Sequence, residues 1–415
     1  MNRKRTLSLV SLGCAKNAVD LQVAAGNLLA EGLSFSSDPD RADVVIVNTC
    51  AFIASAREEA ETEIRRALEL KRRGNFREVV VTGCYPERYP DARAKFPGVD
   101  VWKGVPRGWD EPKMPALRFT GKAFAYLKIA EGCAHRCSYC AIPAIRGRYR
   151  SRPADSILRE ARALVRTGCR ELDIVAQDPM LYGVDLRGRE KMSLVDLLRA
   201  IDRIRGDFWV RVLYSYPSEI TQDFIDWMNT SKHAVKYMDV PLQHTVPEVL
   251  VRMNRGAAVD ASRSAAEALR LVVPGITLRT TIMTGFPGET EARFRMLLAD
   301  LRRMQFDHLG AFAYSPEAGT KGAKMTGRPS RRVAEARERQ VMGEAAAIWK
   351  VRARRRLGEV VKALVVAPGV ARLESQAPDV DGVTYLDDAA APVGEFVTVR
   401  LRKVRGFDFI AEVVQ

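Results

Sequence analysis

The sequence predicts an α/β protein with an N-terminal open parallel sheet, a central partial (β/α)6 barrel and a small C-terminal all-β barrel of OB type. Three patterns along the 415 residues support this fold class. Apolar strands alternate with amphipathic helices over the first hundred residues. The alternation resumes at Ala123, and short β runs replace it after Gly358.

In the N-terminal part, each predicted strand is followed by a turn or a helix. The strands are Leu7–Leu12, Asp43–Cys50 and Glu78–Cys84, and the helices between them are Val19–Leu29 and Ala56–Arg73. Consecutive strand–helix–strand units favour a parallel sheet with right-handed crossovers. We expect this domain to comprise residues 1–112, with the prolines and glycines of residues 101–118 forming a linker.

The central part, residues 119–345, contains six predicted strands with helices such as Ser156–Arg166 and Leu194–Arg205 between them. The strands are Ala125–Ile129, Glu171–Ala176, Trp209–Leu213, Tyr237–Val240, Thr277–Met283 and His308–Ala313. Six such strands fit an incomplete parallel barrel, whose functional site is expected at the carboxyl ends of the strands.

A long basic helix over residues 331–356 leads into the C-terminal part, for which we expect residues 346–415. Five short β runs follow the helix: Val360–Val366, Val370–Glu374, Gly382–Leu386, Glu395–Lys403 and Asp408–Val414. Several short strands separated by turn residues predict a small closed β barrel.

The cysteine number, the apolar runs and the net charge indicate the class of protein. Seven cysteines are an odd number, which favours reduced thiols and metal ligands in a cytoplasmic protein over a disulfide framework. No apolar run reaches membrane-spanning length, and the basic start lacks the cleavage site of a signal peptide. The net charge of +15 predicts a polyanionic partner such as RNA or a ribonucleoprotein. Net charges of +1 for residues 1–100 and −3 for residues 359–415 leave +17 in between.

Cys133, Cys137 and Cys140 give the strongest chemical signal. Three thiolates at this spacing can ligate three irons of a [4Fe–4S] cluster, and the fourth iron stays open to a small molecule. A zinc site would usually show a second pair of Cys or His ligands, whereas the one nearby histidine is His135 inside the loop. The alternatives are a structural metal knuckle or three unrelated buried thiols.

Cys14, Cys50 and Cys84 form a second set, because each lies just past the carboxyl end of a predicted strand. Ligands bind at this edge of open α/β sheets, so the three side chains should converge there. They predict a second metal cluster with three protein ligands. The alternative is three buried structural cysteines, which is the interpretation we give to Cys169.

The two three-cysteine sets, the barrel and the terminal β domain together resemble the methylthiotransferases, a family of radical S-adenosylmethionine (SAM) enzymes. The resemblance implies a cluster-binding N-terminal domain, a radical SAM domain and a C-terminal TRAM domain. It also implies two [4Fe–4S] clusters and SAM as cofactors. In such enzymes a methyl group of SAM moves to a sulfur at the second cluster. A 5′-deoxyadenosyl radical from another SAM then activates the substrate carbon.

The stretch Ser11–Asn17, which reads Ser-Leu-Gly-Cys-Ala-Lys-Asn, is similar to one branch of the family. That branch methylthiolates the β-carbon of an aspartate in small-subunit ribosomal protein twelve. A C-terminal part with a cluster of acidic residues suits docking of a basic protein better than binding of nucleic acid. The clustered residues are Asp379, Asp381, Asp387 and Asp388. Ribosomal RNA is a further expected contact, and a flavodoxin or ferredoxin is the expected electron donor.

Three other functions stay open at this point. A tRNA adenosine methylthiotransferase is the alternative within the family. A non-catalytic Fe–S electron carrier or redox sensor would need four protein ligands per cluster and no SAM pocket. A zinc-based RNA-binding module is the third possibility.

Within the resemblance, SAM contacts are expected from six residues, and the clusters and SAM themselves carry the chemistry. The six are Tyr139, Arg148, Gln177, Asp178, Gly285 and Glu289. Tyr139 could instead shield the cluster from solvent, and Glu289 could be a carboxylate at a helix N-terminus. Arg148 and Arg152 could pair with SAM's carboxylate or the target aspartate, or form a solvated basic loop. His244 is expected to be a core histidine.

Overall fold

The N-terminal unit is a five-stranded, wholly parallel sheet. The computed structural model describes residues 4–109, 112–256 and 259–414, except for the side chains of residues 189 and 259–265; the basic tip of residues 1–3 lies outside this description. The strands are β1 (Thr6–Ser11), β2 (Ser34–Phe35), β3 (Ala42–Thr49), β4 (Phe76–Gly83) and β5 (Val101–Lys103), in the order β2-β1-β3-β4-β5. The helices are α1 (Ala15–Ala30), α2 (Ala54–Arg72) and α3 (Cys84–Arg88). All eight residues of β3 are buried, as expected of a central strand covered on both faces.

The segment predicted as a linker begins with a strand, so that prediction is wrong for its first residues. Val101–Lys103 forms β5 and pairs in parallel with β4. The ring of Trp102 stacks on Phe96 at a centroid distance of 6.0 Å and meets Tyr85 edge-on at 5.7 Å. This aromatic packing holds the short edge strand β5 in place. A strand of three residues is too short to be predicted from its own sequence.

The central unit contains the six predicted strands in chain order. They are β6 (Phe124–Lys128), β9 (Glu171–Val175), β10 (Trp209–Val212), β11 (Tyr237–Asp239), β12 (Thr277–Thr284) and β13 (His308–Ala313). The strands form two parallel three-stranded sheets, with β9 and β12 at their centres. Across the joint, the Val235 N–H donates to the Val210 carbonyl at 3.1 Å, and the Ser215 N–H donates to the Asp239 carbonyl at 2.9 Å. The partial barrel is therefore confirmed.

Two short strands and eight helices complete the central unit. The antiparallel pair β7 (Ala130–Glu131) and β8 (Arg150–Ser151) brackets the cysteine-rich loop. The helices are α4 (Ile142–Arg146), α5 (Ala154–Arg166), α6 (Leu194–Asp202), α7 (Gln222–Thr230), α8 (Pro247–Arg252), α9 (Val259–Val272), α10 (Glu291–Met304) and α11 (Arg331–Arg355). Apolar faces of these helices cover the strands and form the largest core, with Leu172, Leu197 and Leu301 fully buried.

The C-terminal unit is a closed five-stranded barrel, as predicted. Its strands are β14 (Val360–Ala367), β15 (Val370–Leu373), β16 (Thr384–Leu386), β17 (Phe396–Arg405) and β18 (Asp408–Val413). Helix α11 joins this barrel to the central unit: Val341 and Ala345 pack into the central core, whereas Trp349 and Ala353 pack on the C-terminal one. The expected domain boundary at residue 345 therefore falls inside one continuous helix.

The C-terminal barrel covers the amino-terminal ends of the central strands through a buried ionic contact. Glu171, the first residue of β9, accepts hydrogen bonds from Arg211 of β10 and from Arg372 of β15. All three side chains are buried. Arg211 also donates to the Glu374 carbonyl at 2.8 Å, so the two units share one polar core.

One member of the expected acidic docking patch, Asp381, is buried in this interface, and for that residue the expectation is wrong. Asp381 accepts a hydrogen bond from the Tyr237 hydroxyl at 2.7 Å, and its side chain is almost fully buried. Asp379 accepts one from the Tyr126 hydroxyl at 2.5 Å. The members that stay exposed are Asp379, Asp387 and Asp388.

None of the helices in the described part of the chain is both long enough and apolar enough to cross a lipid bilayer.

Replacing Arg372 with methionine should lower the free energy of unfolding by about 3–5 kcal/mol, because buried Glu171 would lose one of its two cationic partners. Urea denaturation followed by circular dichroism measures this change. Arg402→Met is the matched control in the same barrel: Arg402 pairs with Glu412 at the surface, and its loss should cost less than about 1 kcal/mol. Equal costs for the two variants would contradict the buried interface.

Candidate functional site

Cys14, Cys50 and Cys84 lie at the carboxyl edge of the N-terminal sheet, each within three residues of the end of one of three adjacent strands. Cys14 caps α1, Cys50 follows β3, and Cys84 begins α3. Glycine lets two of the loops approach: Gly13 has φ +91°, and a Cβ there would lie 2.9 Å from the Cβ of Cys50. Gly83 has φ +98°, and its Cβ would lie 2.6 Å from the Thr49 carbonyl oxygen. The loops that carry Cys14, Cys50 and Cys84 therefore lie close together, as predicted.

Two asparagines fasten the loops that carry Cys14 and Cys50. The Asn17 side-chain amide donates to the Leu12 carbonyl at 2.7 Å and to the Thr49 carbonyl at 3.2 Å. The Asn48 side-chain amide donates to the Asn17 carbonyl at 2.7 Å. Asn17 belongs to the motif quoted above, but Asn48 was missed, since only the fold shows that it faces α1.

The second cysteine set lies in the loop between β7 and β8. The three cysteines are half-buried, and the Cys140 N–H donates to the Cys137 carbonyl at 3.1 Å. The loop is held from outside, because the Ser138 N–H donates to the Met253 carbonyl at 3.0 Å and the Asn254 side chain donates to the Arg136 carbonyl at 2.8 Å. These contacts fix the backbone from which the sulfurs project.

A layered stack supports this loop. Arg255 donates to the Tyr139 hydroxyl at 3.3 Å and lies 3.8 Å from the Cys137 sulfur. Its guanidinium carbon is 4.1 Å from the centre of the Tyr216 ring, and the His135 ring stacks on Tyr216 at 3.8 Å. Arg255 and Tyr216 were given no role from the sequence. In the sequence, Arg255 directly follows Met253 and Asn254, the two residues that contact the cysteine loop.

Three of the six expected SAM contacts lie beside the cysteine loop. Gln177 donates to Glu131 at 2.8 Å, and its buried Oε1 atom has no partner among the described residues. Asp178 is buried, accepts from the Met180 N–H at 3.0 Å, and lies 2.6 Å from Nε2 of His135. Tyr139 is half-buried and bonded to Arg255 as described.

The other three expected contacts have different surroundings. Gly285 has φ +76°, and a Cβ there would lie 2.2 Å from the Cβ of Ala334 in α11. Glu289 is buried and accepts from the Gly285 N–H at 2.9 Å and from Arg337 at 2.7 Å. Its other carboxylate oxygen is 3.3 Å from His244, which is fully buried, in agreement with a core histidine. Arg148 is exposed at the surface.

Arg152 is part of the core of the central unit. It is buried and donates to Glu160 and, at 3.0 Å, to the Ser156 hydroxyl. These partners account for its charge within the fold, so the basic-loop alternative does not apply to it.

Burial raises the pKa of four of these six thiols, as it does for the buried Cys169. Burial raises the pKa of Cys133 and of Cys84 to about 11, and that of Cys140 to about 12. For Cys14, desolvation by the surrounding protein opposes ionisation, but Lys16 and the backbone N–H of Asn17 outweigh it and lower the pKa. A bound metal would displace the protons of the buried thiols, because ligation needs the thiolate form.

The donor sets fit iron–sulfur clusters better than a single ion. Within the described residues, no three Cys, His, Asp or Glu side chains come close enough to hold one metal ion. A zinc site needs four such donors around one centre, whereas each cysteine of a cluster ligates a different iron. Two sets of three thiols match the cluster chemistry.

The N-terminal unit is docked across the carboxyl ends of the central strands, so both cysteine sets share one region. Glu317, which follows β13, pairs with Arg88 at 3.0 Å and accepts from the Ala54 N–H at 2.8 Å. Lys16 lies 3.5 Å from the centre of the Tyr214 ring, just past β10. These contacts join the two units on either side of the cysteines.

Comparisons with known proteins agree with this geometry. The Radical SAM superfamily matches residues 127–301, the Uncharacterized protein family UPF0004 matches residues 6–104, and the TRAM domain matches residues 357–414. The solved structure of the radical S-adenosylmethionine methyltransferase TsrM from Kitasatospora setae, with cobalamin and a [4Fe-4S] cluster bound, has a TM-score of 0.53 at 18% identity, over 76% of this chain and 77% of that chain. The molecule therefore has the fold and domain composition of a radical SAM enzyme.

Curated relatives narrow the class. The ribosomal protein uS12 methylthiotransferase RimO of Syntrophus aciditrophicus is 39% identical over 450 residues, which cover 99% of each chain. The protein of the same name from Moorella thermoacetica is 41% identical over 433 residues, 98% of this chain and 99% of that one. The chain belongs to the ribosomal protein uS12 methylthiotransferase family and is a radical SAM methylthiotransferase. The expected cofactors, two [4Fe–4S] clusters and SAM, are those of this family.

Replacing Gly285 with alanine should lower the free energy of unfolding by about 2–4 kcal/mol, since the new Cβ would combine a positive φ with a clash against α11. Gly343→Ala is the control, because this exposed glycine inside α11 has open space around it and should stabilise the helix by about 0.5–1 kcal/mol. Chemical denaturation measures both. Unchanged stability with weakened SAM binding would show that Gly285 serves the cofactor instead of the packing.

Proposed function

We propose that this protein methylthiolates the β-carbon of an aspartate in ribosomal protein uS12. The observation that carries the proposal is the presence of two three-cysteine sites at strand ends, brought into one region by the docking of the N-terminal unit. An electron carrier would need one such site with four ligands, whereas sulfur insertion needs one site for SAM and another for sulfur. Full-length similarity to enzymes named for uS12 supports the substrate.

In this proposal each cysteine set holds one cluster. Cys133, Cys137 and Cys140 hold the cluster that binds SAM, and Cys14, Cys50 and Cys84 hold the second one. When bound, the first cluster supplies the electron that cleaves SAM, and the second presents the sulfur that is transferred. With three thiolates from each set, each cluster would keep one iron without a protein ligand.

The surrounding side chains then orient SAM and exclude water. The partnerless Oε1 atom of Gln177 is an acceptor for the amino group of SAM. Asp178 fixes His135, and the stack on Tyr216 keeps the cysteine loop in place. Tyr139, pinned by Arg255, covers the cluster and packs beside the adenine.

The remaining expected contacts divide into two roles. Gly285 and Glu289 hold the loop after β12 against α11, and so shape the wall of the SAM site from behind. Arg148 is an exposed cation of the region, and it pairs with the carboxylate of SAM or of the target aspartate.

The partners follow from charge and location. The target is a basic ribosomal protein, with contacts to ribosomal RNA through the basic central unit, for which the net charge of +15 is the support. A flavodoxin or ferredoxin supplies the electron, and the reaction takes place in the cytoplasm. Asp379, Asp387 and Asp388 are the exposed carboxylates of the acidic cluster, and they are available for docking the protein substrate.

Changing Cys14, Cys50 and Cys84 together to alanine should abolish methylthiolation of uS12 but leave reductive cleavage of SAM, because only the second cluster is lost. Mass spectrometry of uS12 and chromatography of 5′-deoxyadenosine measure the two activities, and iron content should fall from about eight to about four per chain. Cys169→Ala, in a buried thiol outside both sets, should keep both activities. Methylthio transfer by the triple variant would refute the second cluster.

Deleting the gene should remove the methylthio mass from uS12 and leave tRNA unchanged. The comparison is made by mass spectrometry of ribosomal proteins and of digested tRNA from the same cells, with complementation by the wild-type gene as the control. A loss confined to tRNA adenosine would reject the protein substrate and favour the alternative within the family.

A further inference from the structure

Arg146 is a buried arginine that contacts both halves of the site. It ends α4, six residues after Cys140, and its side chain is almost fully inaccessible. Its Nη2 atom donates to the sulfur of Cys84 at 3.2 Å and to Oδ1 of Asn17 at 3.0 Å. A side chain from the loop of one cysteine set therefore binds a sulfur of the other set.

The opposite end of α4 touches the first set. The Ile142 N–H donates to the sulfur of Cys140 at 3.4 Å. Ala141 and Ile145 pack into the core of the N-terminal unit, although they belong to the central unit by sequence. One short helix thus contacts a sulfur of each set and is fixed by apolar packing between them.

The charge around Arg146 is balanced without the thiol. Its Nη1 atom donates to Asp20 at 2.5 Å and to Glu131 at 3.1 Å, and Lys128 binds the same two carboxylates. Two cations and two anions form a neutral buried quartet of Asp20, Lys128, Glu131 and Arg146. Since the guanidinium is planar and rigid, these bonds aim its remaining N–H groups at Asn17 and Cys84.

Resting on the assignment of Cys84 to the second cluster, we propose that Arg146 is a positioning residue that fixes this cluster relative to the SAM cluster and raises its reduction potential. Hydrogen bonds to ligand sulfurs are among the factors that set the potential of an iron–sulfur cluster. A cationic donor stabilises the more negative, reduced form, so its removal should make the second cluster harder to reduce.

The test is a redox titration followed by electron paramagnetic resonance. It uses full-length protein in which Cys133, Cys137 and Cys140 are changed to alanine, so that the second cluster alone is observed. In Arg146→Gln, the ratio of reduced to oxidised cluster at a fixed potential should fall about tenfold, which is a shift of about 59 mV for a one-electron couple. Arg146→Lys keeps the charge without the planar fork and should give a smaller shift in the same direction.

Two further variants serve as controls for the effect of Arg146→Gln on the potential. Arg162→Gln, at an exposed position of α5, is the matched control and should leave the potential unchanged. Because Arg146→Gln alone unbalances the buried quartet, Asp20→Asn combined with Arg146→Gln removes one charge of each sign and preserves the fold. The double variant should still show a fall in potential, but a smaller one, because loss of the Asp20 carboxylate acts in the opposite direction.

A merely structural role of Arg146 would lower the iron content without moving the potential of the clusters that do form. An unchanged potential in variants that hold about four irons would therefore overturn the inference. If the parent protein with Cys14, Cys50 and Cys84 intact binds no cluster, the ligand assignment itself is wrong, and that result appears before Arg146 is changed.

Discussion

The neutral quartet of Asp20, Lys128, Glu131 and Arg146 is the constraint on which the arrangement of the site depends. Its carboxylates and cations come from both the N-terminal and the central unit, and all are largely buried. A buried charge without a partner is strongly destabilising, so neither unit can leave the other without exposing or stranding one of these groups. The distance between the two cysteine sets is thereby fixed by electrostatics as well as by apolar packing.

Local patterns were enough to predict the main strands of the three units and the placement of Cys14, Cys50 and Cys84 at strand ends. Strand-end cysteines such as Cys14 and Cys50 could be placed together because parallel strands bring their carboxyl ends to one edge. Long-range contacts were the part that could not be foreseen. Nothing in the sequence near Gly285 shows that its missing side chain makes room for Ala334, which lies 49 positions further along the chain. The edge strand β5 was missed for the same reason, since Trp102 is held by rings from elsewhere.

In the C-terminal barrel, the acidic composition of the sequence did not show which carboxylates are at the surface. Its carboxylates all looked available for a partner, but Asp381 is buried against Tyr237 of a central strand. Arg372 extends the same interface into the polar interior of the partial barrel. A count of charged residues does not show which charges are buried in the interface between units and which are exposed to solvent. The packing of the structure shows it.

The docking of the C-terminal barrel at the amino ends of the central strands has a geometric consequence for any macromolecule that it helps to recruit. The cysteine sets lie past the opposite ends, and β13 alone, with six residues, is about 20 Å long at roughly 3.3 Å per residue. A partner that binds the C-terminal barrel must extend along the outside of the central unit for its reactive group to reach the cysteine sets. The length of the central strands is therefore the minimum span between a contact on the C-terminal barrel and the cysteine sets.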